Sequence, residues 1–210
     1  MSQLKPVKLR PYLQGNLDSL CGIYALINAI RWALRNELAS AKGPDWEELF
    51  RRLTNHAVKE MGHLDLPTSG LSLYAMIGLI HVARDYVSEE LNVELLFRRP
   101  FAIKKPTDAD QTSESISRHL QQSSTAALAA VYGKLNHWSV ITAIDAKQAQ
   151  LFDSERIKHL PITNLQPKEF VDRREQRSHV QPSNVILLKT LNSSQNNLEG
   201  QLKTRIDKRR

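Results

Sequence analysis

Apolar and polar positions change their spacing about halfway along this chain. From Leu20 to about Leu38, the residues Ile23, Leu26, Ile27, Ile30, Ala33 and Leu34 recur at intervals of three and four, the period of a helix. Apolar residues lie on several sides of this segment, which predicts a helix sunk in the centre of the domain. Asp18 and Ser19 stand just before it as N-cap candidates. Pro44, at a favoured first helical position, opens a second helix that carries Trp46, Leu49, Phe50 and Leu53. After the breaker pair Ser69-Gly70, a third runs from about Leu71 to Leu91.

Beyond that point the apolar runs shorten. Val93 to Phe97 reads as a short strand and Ser113 to Gln122 as a small amphipathic helix. Ala126 to Tyr132, His137 to Ile144, Gln150 to Phe152 and Asn184 to Lys189 are alternating or apolar runs, separated by turn residues such as Gly133 and the stretch from Asp145 to Gln148. Helices first and an antiparallel sheet afterwards is the α+β pattern. It predicts a helical lobe packed against a twisted sheet, with a groove between them. No internal repeat or long low-complexity run interrupts residues 1–190, so they read as one domain, followed by a polar, basic tail over 191–210.

Composition narrows the class. At 210 residues, 41% hydrophobic and 24% charged, the chain excludes disorder, collagen and coiled coil. A domain this long buries roughly 70% of its unfolded surface, enough to hold a cleft. The net charge is +7, but the last twenty residues contribute five basic and two acidic groups. The remainder is too evenly spread to mark a nucleic-acid-binding protein. The tail is expected to be a solvated terminus; as a second reading it binds an acidic partner such as nucleic acid or lipid. The mixed-sign stretch Val171 to Arg177 is expected on an exposed face. No window approaches the ~20 apolar residues of a membrane helix, and the opening MSQLKPVKLRPYLQG lacks the apolar core of a signal peptide. Cys21 is the sole cysteine, which excludes an intramolecular disulfide and any multi-cysteine metal site. A reducing cytoplasm is the expected compartment, although an effector exported without a cleaved signal has the same pattern. The histidines show no metal-ligand spacing such as a helical HExxH, so zinc catalysis is not expected.

Cys21 is the first residue with candidate chemistry. It sits in QGNLDSLCGIYALINAI, where a polar loop becomes the central helix. Unpaired N–H groups and the helix dipole favour an anion at such a tip, and a thiolate is the nucleophilic form of cysteine. Gly22 beside it would let a substrate backbone approach closely. Gln14, seven residues upstream in a loop with Gly15, carries an amide that can donate to the oxyanion formed when a thiolate attacks a carbonyl. His137 opens a predicted strand in LNHWSVITAID, while the other six histidines lie on predicted helices or loops. Distance selects the acid that would orient it. Asp145 lies eight residues along the same strand, about 26 Å away at ~3.3 Å per residue. Asp153 returns after the hairpin turn nearly opposite Val140, and a modest bulge or register shift would bring it to His137. Trp138 falls on the opposite face of the strand, a packing position. Asn16, Asp18 and Asn136 are polar neighbours of the site. Each residue also has a structural reading: Cys21 as a small buried apolar group, Gln14 as a solvated loop residue, His137 as a half-buried histidine, Asp153 as a turn cap.

Taken together, Gln14, Cys21-Gly22, His137-Trp138 and Asp153 resemble the active-site set of papain-like cysteine peptidases, in the chain order cysteine, histidine, acid. Within that superfamily the short form is similar to the bacterial peptidases that remove double-glycine leaders from bacteriocins. The stretch Asp18-Ser-Leu-Cys21-Gly22 is one residue longer than the family's DxCG-like form. The resemblance spans three short patches between residues 12 and 155. It implies a papain-like fold, a protein or peptide substrate, Cys21 as nucleophile, His137 as its proton partner, Asp153 as the orienting acid and Gln14 as the oxyanion donor. The mechanism that the resemblance implies needs no metal or organic cofactor. Three functions remain: a peptidase or isopeptidase, a transglutaminase-like acyltransferase or deamidase on the same triad, and an inactive binding scaffold.

Overall fold

The computed structural model describes residues 9–15, 20–36, 45–60, 62, 71–167 and 178–192. Among the described residues three α-helices come first: α1 (Cys21–Ala33), α2 (Trp46–Asn55), extended by a π-turn over His56–Glu60, and α3 (Leu73–Leu91). Strand β1 (Val93–Arg98) and helix α4 (Ala109–Leu120) follow, then β2 (Thr125–Tyr132), β3 (His137–Ile144), β4 (Gln148–Leu151), β5 (His159–Pro161) and β6 (His179–Asn192). The strands form one antiparallel sheet in the order β1-β6-β2-β3-β4-β5. The α+β class expected from the change of period is what the chain adopts.

Alternation along β2 explains the layering. Ala126, Leu128 and Ala130 point into a core shared with α1, α2 and α3, together with Trp138, Val140, Ile186 and Leu188. Ala127, Ala129 and Val131 point the other way, into a second core with Ile116 of α4, Ile141, Leu160 and Leu187. Small residues on β2 let α1 lie close against the sheet, where it packs on β2, β3 and β6. Ile23, Leu26, Ala29, Ile30 and Ala33 of α1 are fully buried. The predicted sunken helix is therefore real, but the sheet is covered on both faces rather than by one helical lobe.

Element ends differ from the sequence reading for local reasons. α1 stops at Ala33, where Arg35 turns back and its guanidinium caps the Trp32 carbonyl at 2.7 Å. α2 starts at Trp46 because the Asp45 carboxylate accepts from the N–H groups of Glu47 and Glu48. α3 starts at Leu73, capped by Ser72. α4 begins four residues early, at Ala109, because Asp108 caps the Gln111 N–H at 2.8 Å. β6 runs past the expected domain boundary at residue 190. His159 and His179 open β5 and β6 rather than lying in helices or loops. The expected caps Asp18 and Ser19, the polar neighbour Asn16, Pro44, the pair Ser69-Gly70, the charged stretch Val171 to Arg177 and the tail beyond 192 lie outside the described residues. Among the described residues, no helix is long and apolar enough to cross a membrane, and no cluster of three metal-ligating side chains occurs.

Gly22 has a packing role. A Cβ there would come within 2.7 Å of Leu71 Cδ1 and 3.1 Å of Met76 Cε. Its missing side chain makes room for these core residues.

His119, on the buried side of α4, donates from Nε2 to the Leu188 carbonyl at 2.8 Å. Burial is the main reason its pKa lies below the ordinary 6.5, since the neutral ring is the form the core accepts. The unfolded chain therefore binds more protons near and below that value. The stability His119 contributes is full above 6.5 and falls as pH drops through its lowered folded pKa. Urea denaturation at about pH 7.5 and about pH 5.5 should show a loss on acidification that His119→Gln reduces, because glutamine keeps a donor without titrating.

Candidate functional site

The site lies where the tip of α1 meets the first residue of β3. Cys21 is the first residue of α1 and is 6% exposed. Leu20 holds the N-cap position with no side-chain bond to the helix N–H groups. Cys21 therefore stands at the positive end of the α1 dipole, which favours an anion at the first residue.

On the sheet side, the turn before β3 bends sharply at Asn136, whose φ is 43°. Trp138 packs into the core beneath the helices and donates its indole N–H to the Leu71 carbonyl at 2.8 Å. His137 and Ser139, two residues apart on β3, share the other side and meet one carboxylate. His137 Nε2 donates to Asp153 Oδ2 at 2.8 Å, and Ser139 Oγ donates to the same oxygen at 2.6 Å. The remaining oxygen, Oδ1, accepts from the N–H groups of Glu155 at 2.7 Å and Ile157 at 3.2 Å.

Register explains how Asp153 arrives there. Ile144 pairs with Ala149 and Ala143 with Gln150, but Ile141 pairs with Leu151, so the ladder gains a bulge at Thr142. Phe152 N–H then bonds the Val140 carbonyl, and Asp153 comes level with Ser139 rather than Val140. The expected shift occurs and moves the carboxylate one residue nearer to His137. Asp145 instead caps the β3–β4 turn, accepting from the N–H groups of Lys147 and Gln148.

Electrostatics follow from burial and pairing. The side chains of His137 and Asp153 are 1% and 0% exposed. Burial works against the charged imidazole, but the hydrogen bond to Asp153 and the attraction of Asp153 and of Cys21 beside the ring outweigh it and push its pKa up to about 10. Burial alone would raise the Asp153 carboxyl; the bonds from His137, Ser139 and the Glu155 N–H hold it below the ordinary value instead. The pair is thus an imidazolium on a carboxylate, with the thiol as the ring's other neighbour. Among the described residues, Nδ1 is buried without a bond of full hydrogen-bond geometry, so Cys21 and the ring are adjacent but not aligned.

Gln14 is carried by the extended segment 9–15 and tied to the loop after Asp153. Its N–H donates to the Ser154 carbonyl at 3.2 Å, its side-chain oxygen accepts from Ser154 Oγ at 3.4 Å, and its Nε2 donates to Glu155 Oε1 at 3.0 Å. That Glu155 oxygen is also 3.3 Å from His137 Nδ1. Cys21, His137, Asp153 and Gln14 are therefore brought into one neighbourhood, from four separate stretches of chain.

Sequence reasoning missed three residues here. Ser139 and Glu155 carry no motif and owe their place to register and turn geometry. Asn28 is a fully buried polar residue in the apolar run of α1. Its Oδ1 accepts from the Tyr12 N–H at 2.8 Å and its Nδ2 donates to the Tyr12 carbonyl at 3.0 Å. Arg31, one turn on, lies 3.8 Å over the Tyr12 ring. Together they hold the segment bearing Gln14 against the helix. An amide at a predicted core position was the available signal.

Among solved structures, this chain is similar to the crystal structure of a double glycine motif protease from an AMS/PCAT transporter in complex with the leader peptide. The match covers 90% of this chain and 100% of that one, with 14% identity and a TM-score of 0.42. At that score and identity the similarity carries no argument about chemistry. No family model and no curated protein matches the chain.

Asn28→Ala should cost about 1–3 kcal/mol, because both backbone groups of Tyr12 lose their buried partner. Chemical denaturation gives the stability, and limited proteolysis of residues 9–15 should show that segment released before global unfolding.

Proposed function

We propose that the protein is a thiol-dependent hydrolase of the papain-like kind, acting on an acyl group of a protein or peptide. The observation that carries this reading is the contact of a helix-tip cysteine with a buried imidazole whose pKa stands at about 10. A buried, carboxylate-bound imidazole beside a thiol is the arrangement that moves the proton of a cysteine nucleophile.

In the proposed reaction the Cys21 sulfur attacks the acyl carbon, and the carbonyl electron pair moves onto oxygen. Gln14 Nε2 and the Cys21 backbone N–H are the donors assigned to that oxyanion; one such donor is typically worth ~2.7–4 kcal/mol in the transition state. The oxyanion collapses, the leaving group departs, and His137 supplies its proton from Nδ1. Water then attacks the thioester carbon and gives a proton to His137, and the acid is released with the thiolate restored. Asp153, bound at Nε2, keeps Nδ1 turned toward the sulfur and steadies the imidazolium through both steps. Its own charge is matched by four donors, so it does not take up the proton. If an amine replaces water in the second half, the same groups perform acyl transfer, and the same first half serves a deamidase.

Alkylation by iodoacetamide at neutral pH tests the reading without a known substrate. Cys21 should be labelled rapidly, and His137→Ala should slow labelling by roughly a hundredfold or more, the usual scale of a proton partner's contribution. Asp153→Asn should slow it less. Cys21→Ala should abolish acyl chemistry and leave the fold intact. A labelled amine offered with candidate peptides distinguishes transfer from hydrolysis. Labelling of Cys21 at the same rate with and without His137 would overturn the proposal in favour of an inactive scaffold.

A further inference from the structure

Resting on that reading, one contact is not needed by the reaction and stands in its way. Glu155 Oε1 lies 3.0 Å from Gln14 Nε2 and 3.3 Å from His137 Nδ1. These are the two side-chain groups assigned to the oxyanion and to the proton given to the leaving group. We propose that Glu155 is a resident carboxylate latch, seated where an incoming acyl oxygen must bind, and that a substrate opens the site by displacing it.

The backbone favours this placement. Glu155 sits in a tight turn closed by the Arg156 N–H on the Asp153 carbonyl, and Arg156 adopts a φ of 66°. The Glu155 N–H is itself held by Asp153 Oδ1 at 2.7 Å. The carboxylate that orients His137 therefore also fixes the base of the latch. The Glu155 side chain is 40% exposed, in contrast to the sealed His137–Asp153 pair, so its displacement toward solvent leaves that pair closed. While seated, its charge faces the imidazolium that the Cys21 thiolate needs, and its oxygen occupies the Gln14 amide. Converging donors that hold the chain's own carboxylate also fit the acid released by hydrolysis, so closing the latch assists product departure.

The test compares iodoacetate with iodoacetamide on the full-length protein at fixed neutral pH and salt. The two reagents alkylate the same sulfur and differ in charge. Glu155→Gln and Glu155→Ala should each raise the iodoacetate-to-iodoacetamide rate ratio about threefold or more, the effect of removing one unit charge a few ångströms away. Glu114→Gln, on the exposed face of α4, should leave the ratio unchanged and controls for net charge. An unchanged ratio in both Glu155 variants, with Cys21 still labelled in a His137-dependent manner, would overturn the latch and spare the proposed function. So would a fall in both rates on Glu155→Ala, which would make Glu155 a support. A shift of equal size in Glu114→Gln would also overturn it. Loss of His137-dependent labelling in the wild type would overturn the proposed function, and the latch with it.

Discussion

A carboxylate sealed from water must find donors for its lone pairs or give up its charge. Asp153 finds four, from His137, Ser139 and two backbone N–H groups of its own loop. The site depends on that arrangement. The two donors on Oδ2 lock the beginning of β3, and with it the imidazole. The two on Oδ1 shape the turn that presents Ser154 and Glu155 to Gln14. One buried anion therefore sets both the sheet half of the site and the loop against which the N-terminal segment rests.

The helix half is set by packing. α1 lies close on the small residues of β2, and Gly22 leaves the space that Leu71 and Met76 need beside its first turn. Leu71 is in turn bonded through its carbonyl to Trp138, the residue next to His137. A chain of contacts thus runs from the tip of α1 through Leu71 to the start of β3. The helix tip and the strand end cannot shift independently without opening a core that excludes water. Preorganisation of this kind lets a thiol and an imidazole be neighbours although no bond of full geometry yet joins them.

The same rigidity gives Glu155 its meaning. Around it His137, Asp153 and Cys21 are buried, whereas its own side chain reaches solvent. A single part-exposed charge at the mouth of a buried site is where control would cost the core least.

Local chemistry was readable from the chain because it depends on neighbours in sequence. The 3.6-residue period of α1, the strand from His137 to Ile144, the helix-tip position of Cys21 and the rejection of Asp145 as too distant all rest on spacing along one element. The need for a register shift to bring Asp153 to His137 was also readable, but not its site. The bulge at Thr142, the pairing of Asn28 with Tyr12, the seat of Glu155 and the packing role of Gly22 belong to tertiary structure alone. Each is decided by which surfaces come together when separate elements pack. A hydrogen bond or a steric vacancy between residues far apart in sequence leaves no periodic trace in either segment. Residue order settles which chemical groups are at hand and on what kind of element each rides; packing settles which of them meet, because burial in one core sets relative positions that connectivity leaves free.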